Sequence, residues 1–320
     1  MNNNKIVCFV HSCTGNIWGV SILQNLILYM REVGFIDRLD YLFINNVGVK
    51  IPENQFDFTD KIIITNFSDK TDLFETSTLK RMYFWALMNP NDKILYLHTK
   101  GVSYTKEDSR IRGIRDWVDF MLYCNVHHHQ KCIEMLDYVD VVGCDYRSKI
   151  FHNGDPNHYS GNYWWATAKY IKSLSIYELN EKYDAEWWLF RNNPTFVNIH
   201  KCPYGHYENP YPKIFYVDAV DGKVDKIIDN LKNLEDLKIF YGIEGNYQDV
   251  TNICHEKLIT DNILTIPAGD GERNQIFGDH IHGVVKHIKI GLVEHSFYEE
   301  IRYPIQFIEK RYILTKYEIL

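Results

Sequence analysis

The sequence predicts an α/β protein: a Rossmann-type, mostly parallel sheet with flanking helices, followed by a small all-β module at the C-terminal end. Three observations lead there. Short apolar runs rich in β-formers (Ile6–Cys13, Asp40–Asn45, Lys61–Asn66, Ile94–Leu97) alternate with longer stretches of helical periodicity. The first and last of these runs end in polar and small residues, His11-Ser12-Cys13-Thr14 and His98-Thr99-Lys100-Gly101. Beyond a charged stretch at Val217–Leu237 the texture changes to short β-type runs divided by Gly, Asn and Asp turns.

Each element has its own reason. Ile6–Cys13 is too short and too apolar for anything but a buried strand. Asn16 is placed to cap a helix over Trp18–Val33, whose apolar stripe includes Ile22, Leu26 and Tyr29, and Gly34 ends it. Asp40–Asn45 and Lys61–Asn66 are the next strands. Leu79, Met82 and Leu87 mark a helix opened by Phe74–Leu79, where Glu75 suits the dipole and needs no further role. Asn89–Asp92 is a turn that releases strand Ile94–Leu97. Trp117–Tyr138 is a long helical stretch. The run His127-His128-His129 inside it spreads about 100° per residue, cannot converge on one metal, and reads as surface and edge. Tyr138–Cys144 is another strand. The domains expected are residues 1–216, a connector at 217–237, and a β module at 238–320.

Composition narrows the function. At 320 residues the chain exceeds what one core usually fills, hence one large domain plus a smaller one. A net charge of -7 gives no field for nucleic acid. No run approaches the ~18 apolar residues of a membrane span. The five apolar residues Ile6–Val10 are too few for a signal peptide. Seven scattered cysteines without Cys-x-x-Cys suggest reduced thiols, and with them a cytoplasmic location.

The chemistry-bearing residues cluster at strand ends, where open α/β sheets bind ligands. His98, Thr99, Lys100 and Gly101 follow one strand; His11, Ser12 and Thr14 follow another, ahead of a helix N-terminus that favours anions. No Gly-x-Gly-x-x-Gly or P-loop pattern is present. Tyr104–Arg115, with its arginines, is a candidate lid or a solvated loop. Ser160-Gly161-Asn162-Tyr163-Trp164-Trp165 places two tryptophans after a tight turn. Such aromatic faces suit a sugar ring or base, or else pack in the core. Asp184 and Glu186, near a helix start, are candidate general bases, with capping as the plainer reading.

Ile94–Gly101, Ser160–Ala166 and Asp184–Leu189 together resemble the GT-A class of glycosyltransferases: the metal-motif strand, the Gly-plus-aromatic strand lining the sugar site, and the acidic helix start after it. The His-Thr-Lys signature is similar to that of rhamnan-synthesis-type glycosyltransferases. The resemblance covers about residues 5–215. It implies a nucleotide-diphosphate sugar donor and a glycan or glycoprotein acceptor. Donor-binding falls to His11, Ser12, Thr14, His98–Gly101, Ser160–Asn162, Trp164 and Trp165, and catalysis to Asp184 and Glu186. Where the class carries Asp-x-Asp for a divalent cation, this chain has His98 and Lys100. A lysine can neutralise a diphosphate directly, so transfer without a metal, or with only weak dependence on one, is expected. A Mn or Mg site using Asp145 stands as the alternative. Three readings follow: glycosyl transfer, a binding protein on a degenerate transferase domain, and a zinc hydrolase, the last disfavoured because no His-Glu-x-x-His spacing occurs among the 14 histidines.

Overall fold

The computed structural model describes residues 4–314 apart from 73, 105–107, 148–154, 178, 180–182, 208, 233–238, 261–262, 291–292, 296–300 and 309–310. Two compact units result, Met1–Ile227 and Ile228–Leu320. The last residues of the expected connector, 233–237, and part of the expected lid, 105–107, lie outside the described residues.

The first unit is built on one seven-stranded sheet. Its strands are β1 (Ile6–Thr14), β2 (Tyr41–Gly48), β3 (Ile62–Ser68), β4 (Lys93–His98), β5 (Val141–Gly143), β6 (Trp164–Thr167) and β7 (Phe196–Asn198). They lie in the order β3-β2-β1-β4-β6-β5-β7. All neighbours are parallel except β6, which runs antiparallel to β4 and β5. The mostly parallel α/β sheet expected from the sequence is therefore the observed one. The register sets His11 directly beside His98.

Besides a single turn at Phe35–Arg38, the helices include α1 (Ile17–Glu32), α2 (Thr76–Met88), α3 (Ile111–Leu122), α4 (His129–Met135), α5 (Ala168–Ile171), α6 (Asp184–Trp187) and α7 (Val217–Lys232). Asn16 caps α1 as expected: its backbone is extended and its side chain accepts from the Gly19 N–H at 3.0 Å. The stretch read as one long helix is interrupted, because α3 runs into a π-helical turn at Tyr123–His127 before α4 begins. That extra residue turns the histidines: His127 is exposed, His128 meets Asp221 at 3.0 Å, and His129 is buried 4.9 Å from the Phe35 ring. The surface reading fails for His129 for this reason.

Alternation along the strands divides the core into two layers. Val7, Phe9, Tyr96 and Trp164 pack with Leu79 and Met82 of α2. Val10, Leu95, Leu97 and Trp165 are buried on the other face. There Trp165 meets Phe35 edge-on.

The second unit holds two four-stranded antiparallel sheets. One joins Ile239–Ile243, Asn246–Asp249, His287–Ile290 and Val293–His295. The other joins Ile259–Thr260, Ile263–Ile266, Ile301–Ile308 and Arg311–Leu314. Ile239, Tyr241, Leu264, Phe277 and Ile288 form its core. Two helices, Thr251–Lys257 and Asp270–Phe277, accompany the sheets. At two turns each they are too short for sequence periodicity to reveal.

Candidate functional site

The carboxyl ends of β1 and β4, the start of α2, the turn before β6 and the short helix α6 meet at Glu75. Glu75 directly precedes α2, after Phe74 in the left-handed region at φ +46°. One of its oxygens accepts from His98 Nδ1 at 3.0 Å. The other accepts from the Tyr96 hydroxyl at 2.8 Å and from Asn162 Nδ2 at 2.6 Å. Burial pushes the Glu75 carboxyl up, but the imidazoles of His98 and His11 and the Tyr96 hydroxyl outweigh it and hold the group well below the usual carboxylate range. Burial and the adjacent carboxylate push the Tyr96 phenol up, so it stays a donor.

His98 continues the chain of contacts. Its Nε2 lies 3.0 Å from the Gly161 carbonyl, so both ring nitrogens face oxygen acceptors, and both contacts are met when each nitrogen carries a proton. The Gly161 N–H in turn donates to Glu186 Oε1 at 3.1 Å. Only glycine fits at 161: its φ is +90°, and a Cβ would sit 2.4 Å from Met121 Sδ and 3.0 Å from the Trp117 indole. Lys100 Nζ lies over the same indole, 3.9 Å from the Trp117 ring centroid. Gly101, at φ +97°, brings the chain against Ile114.

His98, Lys100, Gly161, Asn162 and Glu186 are thus neighbours. The other sequence candidates are placed differently. His11 is buried, Nδ1 facing Thr78 Oγ1 at 2.9 Å. Thr14 and Thr99 are buried ties within the sheet: Thr14 donates to Val49 O at 2.6 Å, and Thr99 Oγ1 accepts from the Cys13 N–H at 2.9 Å. Ser12 is fully buried, its hydroxyl without a hydrogen-bond partner among the described residues. Ser160 is half-buried in the turn, its N–H donating to Asp145 O.

Three candidates stand in surroundings other than those expected. Trp164 and Trp165, expected to wall the site, are both buried, with indole N–H groups bonded to Asn162 Oδ1 and Asn125 O. Adjacent on β6, they face opposite layers of the core. Asp184 is held by Arg191 at 2.8 Å, which leaves Glu186 as the carboxylate at the Gly161 turn. Asp145 is fully buried with both oxygens engaged, one by Arg147 and the Cys202 N–H, the other by His206 Nε2 at 2.6 Å. Glu75 is the residue that sequence reasoning dismissed.

The buried imidazoles carry a pH consequence. Burial pushes His11 down to about 4, against a weaker upward pull from Glu75 and with a further push down from His98. Burial, then Lys223, takes His200 down to about 4 as well. Both lie below the ordinary value near 6.5. Between those values the unfolded chain binds more protons than the folded one, so stability is complete above pH ~6.5 and falls as pH drops towards 4. The expected result is a urea midpoint that declines across that window. His11→Gln should remove a share of the slope worth at most on the order of 3 kcal/mol. An unchanged slope in that variant would remove His11 from this account.

Residues 32–198 match the family described as "Domain of unknown function (DUF8361)". The chain belongs to this family. The DUF8361 segment contains Glu75, Tyr96, His98, Lys100, Gly161, Asn162 and Glu186, and begins after β1 with its His11, Ser12 and Thr14. No curated protein matches the sequence. Among solved structures, 4-diphosphocytidyl-2C-methyl-D-erythritol synthase is similar at a TM-score of 0.32 and 8% identity, over 71% of this chain and 100% of that one. A likeness this weak bears on neither substrate nor reaction.

Proposed function

We propose that the chain is a glycosyltransferase that moves a sugar from a nucleotide-diphosphate donor to an acceptor hydroxyl on a glycan or protein. The observation that carries this reading is the chain of contacts Glu75–His98–Gly161–Glu186 at the carboxyl ends of parallel strands, with Lys100 beside it. Lys100 supplies the positive charge for the diphosphate. Glu186 accepts the proton of the attacking hydroxyl, its position fixed by the Gly161 N–H. Glu75 and His98 are positioning residues: the imidazole bridges the carboxylate to the turn and so sets where Gly161 and Glu186 stand. Residues 1–216 form the catalytic domain in this reading, 217–237 the connector, and 238–320 an accessory module.

Ligands that bind the folded state raise the melting midpoint. A panel of nucleoside diphosphates and nucleotide-sugars, with and without Mn²⁺, is expected to give a rise with one base regardless of metal. Lys100→Ala should weaken that ligand about 10–100-fold in calorimetry, the scale of one charge-assisted contact. Unaltered affinity would end the role given to Lys100. The rival reading is a binding protein without turnover, in which the paired Glu75 and His98 only shape the site. Release of free nucleotide from the donor without acceptor separates the two, since a binder releases none.

A further inference from the structure

A cavity of about 580 Å³ lies between α1 and α3. Its volume is that of a small-molecule site, and of the residues given roles in the proposed transfer only Lys100 lines it. Two contacts fix how the helices start along it. Asn16, at the head of α1, donates to the Val102 carbonyl at 2.9 Å. Gly101 lies against Ile114, in the first turn of α3. Further along, Leu26 and Tyr29 of α1 and Val118 and Leu122 of α3 line the same cavity. The two helices therefore descend side by side from the strand-end edge, and the groove follows them.

Its chemistry is graded along that direction. Lys100 and Arg115 line it towards the strand ends. Ile22, Leu26, Ile114, Val118 and Leu122 supply its walls. Glu32, the last residue of α1, lines the distant end, while Asp119 stands one turn beyond Arg115 on α3. Leu26, Ile114 and Leu122 are buried, so the walls belong to packed helices and not to a frayed surface. A ligand that fits must be long, apolar in its body, and negatively charged at one end. The acidic far end repels the same charge and so fixes the ligand's direction.

We infer that this groove binds a single-chain anionic amphiphile, its head at Lys100 and Arg115 and its tail between α1 and α3. The inference shares Lys100 with the transfer reading but does not rest on it. Burial of the tail provides affinity in proportion to the apolar area removed from water, and the head provides orientation. The occupant is one molecule and not a bilayer, because the apolar walls are recessed between two helices.

Calorimetry on the full chain with dodecyl phosphate below its aggregation concentration tests this. Binding at one site per chain is expected, with dodecyltrimethylammonium and inorganic phosphate at least tenfold weaker. Val118→Trp fills the groove from α3 and Ile22→Trp from α1; each should cut dodecyl phosphate affinity at least tenfold while the circular dichroism melt stays cooperative. Two variants on facing helices keep the test decisive if one fails to fold. Equal binding of the cationic amphiphile, undiminished binding in the folded variants, or binding only to anionic vesicles would each overturn the inference. A nucleotide panel on the unsubstituted chain keeps the two ideas apart: no nucleotide response with dodecyl phosphate bound at one site would count against the transfer reading alone.

Discussion

Glu75→Ala is expected to lower the free energy of unfolding by about 3 kcal/mol, because it strips one partner from several donors at once. Tyr96, Asn162 and His98 Nδ1 all lose the acceptor they share. The carboxylate's charge also contributes through linkage. Its folded value is depressed, so that contribution is present above the usual carboxyl value near 4.5 and fades as pH falls below it. Glu75→Gln keeps the shape but places an amide where donors converge, and should recover only part of the loss. Urea titrations of both variants at pH 7 and pH 4 check this. In wild type the difference between the two pH values includes the carboxylate; in Glu75→Gln it should shrink. A melt of Glu75→Ala equal to wild type would remove the carboxylate from the centre of the fold. Under the proposed transfer reading, turnover should fall in both variants, since His98 and the Gly161 turn lose their common anchor.

Trp165→Ala is expected to cost about 3–5 kcal/mol, the scale of deleting a large aromatic from a packed interior. The side chain is fully buried, meets Phe35 edge-on with centroids 5.5 Å apart, and donates to the Asn125 carbonyl at 2.8 Å. Trp165→Phe should cost less, but it leaves the Asn125 carbonyl without that donor. Thermal melts of the pair read the packing. Nucleotide affinity of Trp165→Phe reads the rival account: a variant with wild-type melting and weakened nucleotide binding would return Trp165 to a site wall.

The framework was legible because its signals are local. A run of β-formers closed by a turn marks β1 and β4, and an asparagine three residues before Gly19 marks the start of α1. The position of His98 and Lys100 at a strand end follows from the same reading. The two tryptophans were not legible, since exposed platforms and core anchors have the same composition; only the pairing of β6 between β4 and β5 decides. Glu75 was hidden for a related reason. Its partners lie at 96, 98 and 162, and nothing in the residues around 75 announces contacts so distant in sequence. Its neighbourhood looks like a helix start, and it is one. The role comes from tertiary register alone. His129 was misread because a single extra residue in a helical turn leaves no mark in composition.

The strand order has a consequence for synthesis. β1 leaves the ribosome first, yet it is a central strand, with β2 on one side and β4 on the other. β2 follows closely, whereas β4 starts only at Lys93. At roughly 5–20 residues per second, the open side of Ile6–Thr14 waits about 4–16 s for its partner. During that interval the nascent chain carries an unpaired, apolar edge, the template on which chains associate. Slowed elongation between Gly48 and Lys93 should therefore raise the aggregated fraction more than the same delay placed after His98.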